Sequence, residues 1–300
     1  MTKKIRNWLI ALSILAFPFV LFFGFLIFME EPLPPVAPLP NPNGYDDLVN
    51  AGKTLPNVGS GYDKMNQQQL QKAVSANATV VALARAALSN QCLVPVQYTE
   101  SYISNHLDDL TSLKQLARAF AAEGRLAEME NRTNDAIKAY LDTIHFANES
   151  ARGGVLIDGL VGIAIESIGV SHLTNLVGHL DAKSCRETAA ALETLDAQRQ
   201  TWDEVMRQEH DWSGRTFNSL RDKIFWPLLA KMAERAYAKP EINFKKQQTE
   251  TRQLLIALAT RSYELDKGHP PASASDLVPE YLKAVPQDPF TGANLVYSPR

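Results

Sequence analysis

The pattern of apolar and polar positions divides the chain into a membrane-type run, a proline-rich stretch and a long helical region. The first run extends from Trp8 to Met29 without a charged residue. At about 1.5 Å per helical residue, it is long enough to cross a hydrocarbon core of roughly 30 Å. The pattern predicts a single N-terminal transmembrane helix over residues 8–29, which anchors the protein in a lipid bilayer.

The charges on either side of this run predict its orientation. Basic residues precede it and acidic residues follow it, namely Lys3, Lys4, Arg6, Glu30 and Glu31. Because cytoplasmic flanks favour Lys and Arg, we expect residues 1–7 in the cytoplasm and the remaining chain in the periplasm or another extracytoplasmic space. A cleaved signal peptide is the alternative. Its apolar segment is shorter, roughly 7–15 residues, and ends at a small-residue cleavage site, which is missing after Met29.

Residues 30–44 form the proline-rich stretch. It contains Pro32, Pro34, Pro35, Pro38, Pro40 and Pro42. Proline disfavours helix and sheet and favours the extended polyproline II conformation. The segment is therefore predicted to form a stiff spacer of roughly 40 Å, at about 3.1 Å per residue. We expect it to hold the folded part away from the membrane. A ligand for a proline-binding module is the alternative.

Apolar residues recur at helical spacing through residues 45–240, which predicts an α-helical bundle. The strongest stripe lies within 107–130, and a turn at 131–134 leads into a return helix over 135–151. Asp181 is expected to cap the start of a later helix. Lys239-Pro240 is expected to end the last helix of this domain.

The most apolar stretch of the domain runs from Val155 to Leu180. A second membrane span would place Asp158, Glu166 and His172 at costly depths, so we expect a central helix of a soluble core. A carboxylate on such a helix is either paired or functional. We expect Glu166 to be paired.

Composition and charge narrow the function classes. The chain has 30 basic and 33 acidic residues and a formal net charge of −3. This mild acidity argues against a nucleic-acid partner, which normally requires a concentrated basic face. The two cysteines, Cys92 and Cys185, form no CxxC motif. A disulfide between them is possible outside the cytoplasm, but we expect two separate buried thiols.

The densest cluster of acids and histidine lies between Trp202 and Trp212. Glu209, His210 and Asp211 are consecutive there, so a helix would spread them around its axis. A zinc-binding HExxH needs a second histidine four positions on, and the chain also lacks GxSxG, Walker and Rossmann patterns. We predict no catalytic site, no cofactor and no metal. If the protein were an enzyme, the candidate residues would be Glu166, Glu209 and His210.

The last sixty residues, 241–300, are predicted to form a small module of helix, turn and hook. One helix ends at Lys267, with Gly268 as its left-handed cap, and a short helix is expected over Leu277–Leu282. A turn at Asp288–Gly292 and a short strand at Leu295–Tyr297 complete the module.

This tail resembles the corresponding stretch of type II secretion major pseudopilins. The shared elements are Asp266-Lys267-Gly268 at the helix end, then Pro270, then Pro286 to Phe290 before the hook. The chain differs because no Gly-Phe-Thr-x-x-Glu processing site precedes the membrane run, and over 200 residues separate that run from this helix. The resemblance implies a packing module and an accessory role in secretion.

The whole layout is similar to that of uncharacterised membrane-anchored helical proteins of planctomycete-type bacteria. The similar features are the anchor, Glu123-Gly124-Arg125 in a helical hairpin, the Leu156–Ser167 helix and the tail. The hairpin itself resembles one tetratricopeptide repeat, with Gly124, Ala136 and Tyr140 at its small and aromatic positions. These resemblances imply an architecture and bring no activity.

The leading hypothesis is therefore a membrane-tethered helical interaction or structural protein of the cell envelope, with a protein partner and no catalytic activity. One alternative is an accessory component related to type II secretion and pseudopilin systems. The other is a hydrolase or metal enzyme that uses Glu166 or the Glu209/His210 cluster.

Overall fold

A computed structural model of the chain describes residues 8, 16–22, 24–25, 36, 38–55, 61–218 and 220–296, with the side chains of 220–234 excepted. Much of the predicted anchor, Trp8 to Met29, and much of the spacer, 30–44, therefore lie outside the described residues.

The described part of the chain is mainly α-helical, as predicted. Its α-helices are α1 Gly44–Thr54, α2 Gln67–Ala87, α3 Tyr102–Met129, α4 Thr133–Ala151, α5 Leu156–Leu176, α6 Ala182–Gln198, α7 Trp202–Thr216 and α8 Leu220–Lys267. Short 3-10 turns lie at Tyr62–Lys64, Val177–His179 and Ala274–Leu277. Within these described ranges the β-structure is an isolated antiparallel bridge between Gln287 and Asn294.

Several helices begin where a polar side chain can accept hydrogen bonds from the first free backbone amides. Asp181 accepts from the Ser184 amide at 2.7 Å and caps α6, as the sequence predicted. Thr201 and Glu204 form a reciprocal capping box at the start of α7. Such caps satisfy amides that have no partner inside the helix, which fixes where the helix starts.

Two large hydrophobic clusters and a small one, formed by Tyr102, Val155 and Trp212, make up the core. The first joins α1, α2 and α3 to α4 and α5, and its members include Leu48, Leu70, Leu113, Phe120, Phe146 and Ile165. The second joins α4, α5, α6 and α8 to the C-terminal segment, and its members include Leu192, Leu258, Leu277, Tyr281 and Leu282. The C-terminal segment therefore packs against the helical bundle through apolar side chains.

The long helix α8 corrects one prediction. It continues through Lys239-Pro240, where the sequence predicted a helix end, and runs on to Lys267. A proline inside a helix costs about 3 kcal/mol because it removes a backbone hydrogen bond. Burial of apolar residues further along the helix, including Phe244 and Leu254, offsets that cost. The predicted domain boundary between 240 and 241 falls inside this helix.

The end of α8 agrees with the sequence, whereas the segment after it differs. Gly268 has a positive φ of 79° and its amide donates to the Glu264 carbonyl, so it is the expected left-handed cap. The predicted Leu277–Leu282 helix is wrong. A 3-10 turn precedes it, and Val278 is extended because it stands before Pro279, which disfavours the helical conformation there.

The predicted hook strand, Leu295–Tyr297, is not a strand where it is described. Leu295 and Val296 have no strand partner, although the Leu295 amide donates to the Pro286 carbonyl at 2.8 Å. Tyr297 lies outside the described residues. The Gln287–Asn294 bridge and the left-handed Gly292 close the turn that the sequence predicted before it.

Helix α5 is the central helix of the bundle, as expected. With the turn that follows it, Leu156–His179 is the one segment of the described chain that is long and apolar enough to cross a membrane. It packs against α4 at close range, because a Cβ at Gly162 would lie 2.8 Å from the Ala151 Cβ. The central helix of a soluble domain can be equally long and apolar. Asp158 and Glu166 are paired within the bundle, which agrees with a core helix.

Candidate functional site

The first candidate, Glu166, forms a buried ion pair in the middle of α5. Its side chain is 2% exposed, and that of Arg199, directly after α6, is 5% exposed. Arg199 Nη2 donates to Glu166 Oε1, and the Thr251 hydroxyl of α8 donates to the same oxygen at 2.6 Å. The expectation that Glu166 is paired is therefore confirmed.

This pair belongs to a longer chain of alternating charges. Arg199 Nε lies 3.5 Å from Asp196 Oδ1, and the other oxygen of Asp196 accepts from Arg252 Nε at 2.9 Å. Arg252 Nη1 then donates to the Gln287 carbonyl at 2.6 Å. The network connects the central helix α5, through α6 and α8, to the C-terminal hook.

The protonation equilibrium of Glu166 reflects its burial. Loss of hydration raises the pKa of this carboxyl, while the Arg199 charge and the hydrogen bonds from Thr251 and Arg199 act in the opposite direction. Burial disfavours the charged form of an acid, and a nearby cation restores it. The carboxylate is already engaged by a guanidinium and a hydroxyl, which is the arrangement of a structural ion pair.

The space beside Glu166 is small. A cavity of about 20 Å³ is lined by Ala147, Asn148, Ala151, Gly159, Gly162, Ile163, Glu166, Arg199, Gln200, Val205 and Phe244. Pockets that bind metabolites or drugs usually measure about 300–1,000 Å³. Glu166 thus lines a cavity that is too small for an organic substrate.

The second candidate cluster is dispersed, as its consecutive positions predicted. Glu209 Oε2 accepts a hydrogen bond from the Leu156 amide at 2.9 Å and so gives a free backbone amide in the first turn of α5 a partner. His210 is exposed and its ring meets the edge of Tyr237. Asp211 pairs with Arg215 at 2.8 Å. Within the described residues, no group of three or more His, Cys, Asp or Glu side chains is arranged to hold a metal ion.

Burial raises the pKa of Glu209, and the Leu156 amide and His210 oppose that rise. A carboxylate that caps a helix N-terminus is stabilised by the amide and by the helix dipole. The role of Glu209 in the fold is therefore to fix the start of α5 against α7.

One buried histidine, His106, was not among the predicted site residues. His106 Nε2 lies 2.7 Å from Asp158 Oδ1, and His106 Nδ1 lies 3.6 Å from Asp109 Oδ2. The ring stacks on Tyr102 with centroids 4.9 Å apart, and the Tyr45 hydroxyl approaches it. Burial tends to lower the pKa of His106, but Asp158 and Asp109 outweigh it, and the pKa is raised.

Asp158 also accepts a hydrogen bond from a backbone amide at the start of α5. Its Oδ2 accepts from the Val155 amide at 2.9 Å, which leaves Oδ1 for His106. An acidic residue in the first turn of an apolar helix was the available sequence signal. Its histidine partner lies 52 positions away and cannot be identified from one sequence.

A second histidine, His172, lies where α3, α4 and α5 meet the Tyr62–Lys64 turn. The His172 ring stacks on Tyr140 with centroids 4.6 Å apart and an interplanar angle of 3°. Its Nε2 is 3.4 Å from the Tyr62 hydroxyl, and its Nδ1 is 3.7 Å from Glu128. Burial lowers the pKa of His172 despite the nearby Glu128 and Asp63.

The cysteines occupy different parts of the core. Cys92 lies in the first hydrophobic cluster and Cys185 in the second, and both are free thiols. The expectation of two separate buried thiols is confirmed.

No family model, curated protein or solved structure matches this chain. The resemblances to pseudopilins and to planctomycete-type proteins therefore stay predictions.

Proposed function

We propose that the protein is a membrane-tethered helical domain of the cell envelope, which acts by binding another protein. The observation that carries this proposal is the character of the described part of the N-terminal run. Residues 16–22 and 24–25 are helical. Their large apolar side chains are between 57% and 66% exposed, namely Phe17, Phe19, Val20, Leu21, Phe22 and Phe25.

An exposed helix with this composition is unfavourable in water but stable in a bilayer, where its backbone hydrogen bonds are satisfied internally. In this proposal, residues 8–29 span the membrane and the helical domain lies outside the cytoplasm. The predicted spacer, 30–44, is shorter at its end than the sequence indicated, because Asn43 is buried and caps α1, which begins at Gly44. The basic residues at positions 3, 4 and 6 support this orientation.

The state of the acidic and imidazole groups supports binding over catalysis. Glu166 and Arg199 neutralise each other, Glu209 caps α5, and His106 is enclosed between Asp158 and Asp109. General acid–base catalysis needs a titratable group within reach of a substrate. These groups instead hold neighbouring helices together.

Membrane insertion is tested by fractionation of full-length protein in a bacterial host. Phe19→Lys combined with Val20→Lys should release the protein from alkali-washed membranes, because each lysine costs roughly 2.5–3.5 kcal/mol at the centre of a span. The matched control combines Leu83→Lys with Leu107→Lys, which changes two exposed apolar residues of α2 and α3. This control should stay in the membrane fraction. A wild-type protein that washes off membranes would contradict the proposal.

Orientation and activity need separate measurements. A tag after Arg300 should be digested by protease added to spheroplasts, and a protected tag would contradict the proposed topology. In a host with a measurable deletion phenotype, Glu209→Gln and His210→Ala should restore function while the double-lysine anchor variant should not. Failure of a correctly folded His210→Ala variant would favour the enzyme alternative.

The partner is tested by crosslinking in cells followed by purification in detergent. The same envelope protein should be recovered from wild type and from the His210→Ala variant. Recovery of a type II secretion pseudopilin would identify the accessory role that the tail resemblance implies. A repeatable absence of any partner would contradict the binding proposal.

A further inference from the structure

Two residues that line the cavity beside Glu166 have polar side-chain atoms that no protein group satisfies. Arg199 Nη1 and Gln200 Oε1 are buried and have no hydrogen-bond partner, and both residues line the cavity. The Arg199 side chain is 95% buried, since 5% of it is exposed. A buried polar group without a partner loses its hydration without compensation, so native proteins rarely leave such groups unmatched.

The two groups are complementary in chemistry. Arg199 Nη1 is a donor and Gln200 Oε1 is an acceptor. A molecule that binds between them must accept one hydrogen bond and donate another. The remaining wall is largely apolar, with Ala147, Ile163, Val205 and Phe244 among its members.

We propose that this cavity is a binding site for one water molecule, which accepts a hydrogen bond from Arg199 Nη1 and donates one to Gln200 Oε1. Its volume of about 20 Å³ exceeds the roughly 10–15 Å³ that one water needs and leaves no room for an organic ligand. An anion is not required, because Glu166 and Asp196 already surround the Arg199 charge.

The bound water completes the hydrogen bonding of two side chains that the protein contacts alone leave without a partner. Arg199 and Gln200 belong to the short connection between α6 and α7, while Glu166 lies on α5 and Phe244 on α8. A bridging water gives nearly the same enthalpy as a direct hydrogen bond. It therefore fixes the Arg199 and Gln200 side chains relative to each other beside the central helix, independently of whether the domain is tethered to a membrane.

The test is a crystal structure of full-length protein in detergent, at a resolution where ordered water is visible. One density peak should lie within hydrogen-bond distance, about 2.7–3.2 Å, of Arg199 Nη1 and Gln200 Oε1. An empty cavity, a larger molecule, or a direct contact between the two side chains would overturn the proposal.

A cavity-filling variant adds an independent comparison. Gly159 also lines the cavity, and Gly159→Ala adds a methyl group against Val205, whose Cγ1 would lie 3.2 Å away, which reduces a cavity that has room for one water. The density peak should then be lost. The matched control is Gly214→Ala, where a Cβ meets no atom within 4 Å, and this variant should retain the peak. Retention of the water in folded Gly159→Ala protein would contradict the site.

A solution measurement keeps the proposal testable if Gly159→Ala does not fold. In wild-type protein, NMR should detect nuclear Overhauser transfer from a long-lived water to the Gln200 side-chain amide. The exposed Gln198 side chain, two residues earlier, is the internal comparison and should show only transfer from rapidly exchanging water. Equal behaviour of the two side chains would overturn the proposal.

Discussion

Glu166 and Arg199 form an ion pair that is buried on both sides, although 33 positions separate them in sequence. Glu166 comes from the most apolar helix of the domain, and Arg199 directly follows α6, which packs against α4 and α8. Removing two charges from water is costly, so such a pair persists only where each charge compensates the other. The pair therefore ties α5 to the end of α6 and makes each residue dependent on its partner.

Replacing one member of the Glu166–Arg199 pair should destabilise the domain more than replacing both. Arg199→Met leaves the Glu166 carboxylate buried without a cation and should lower the free energy of unfolding by about 3–5 kcal/mol. Adding Glu166→Met should recover much of that loss, because an apolar pair of similar volume fits the site. Urea unfolding of the full-length protein in detergent measures both effects.

The control for this comparison is the exposed pair between Lys183 and Glu187 on α6. Lys183→Met should change stability little, because an exposed ion pair is well solvated. If the double variant at positions 166 and 199 were as unstable as Arg199→Met alone, the compensation argument would fail.

Gly124 allows the Tyr140 ring to lie directly on α3. A Cβ at position 124 would be 2.4 Å from Tyr140 Cε1, inside van der Waals contact. Tyr140 is fully buried and donates a hydrogen bond to Glu128, so its ring has little freedom to move. Gly124→Ala should destabilise the domain by about 1–3 kcal/mol through overpacking. Gly214→Ala, which adds a methyl in open space, should be neutral or slightly stabilising in the same thermal unfolding assay.

Local signals allowed correct predictions because they depend on atoms close together in sequence. The Asp181 cap joins a carboxylate to an amide three positions later, and the Gly268 cap depends on the backbone freedom of a single residue. The need for a partner at Glu166 was equally local, since an apolar helix cannot leave a carboxylate unpaired. The identity of that partner, Arg199, depends on how α6 packs against α4 and α8 and so brings its C-terminal end to α5.

Two features could not be predicted, because tertiary packing decides them. Pro240 lies inside α8, since burial of the apolar residues that follow it outweighs the local cost of a proline. The contact between His106 and Asp158 depends on the crossing of α3 and α5. One sequence without related sequences contains no signal for such a crossing, so the buried histidine was not among the predicted site residues.

Both cysteines should react slowly in the folded protein. Burial raises the pKa of Cys92 to about 12 and that of Cys185 to about 11. Because the thiolate is the reactive form, a pKa near 12 leaves about a thousandfold less thiolate at neutral pH than an ordinary cysteine. Labelling with a disulfide reagent should be slow in native protein and should reach two thiols per chain in denaturant. Fewer than two thiols in denaturant without reductant would reveal a disulfide.

His172 should make the domain more sensitive to mild acid. Its pKa lies below its ordinary value of 6.5, because burial outweighs the attraction of Glu128 and Asp63. The unfolded chain then binds a proton more readily than the folded one below about pH 6.5. The stability that the neutral ring contributes is present above that pH and is lost as pH falls towards the folded pKa. The difference in urea midpoint between wild type and His172→Gln should therefore shrink on acidification, and a growing difference would contradict the assignment.

The stability that His106 contributes should have the opposite dependence on pH. Hydrogen bonding and charge from Asp158, together with Asp109, raise its pKa above 6.5 despite burial beside Tyr45 and Tyr102. The folded protein therefore holds the proton more tightly than the unfolded chain. The resulting stability is fully present below about pH 6.5 and is lost as pH rises through the folded pKa. His106→Gln keeps a hydrogen-bonding group but no charge, so the advantage of wild type in urea midpoint should be largest in mild acid. An advantage that increases towards alkaline pH would show that the imidazole is neutral in the folded domain and that the ion pair with Asp158 does not form.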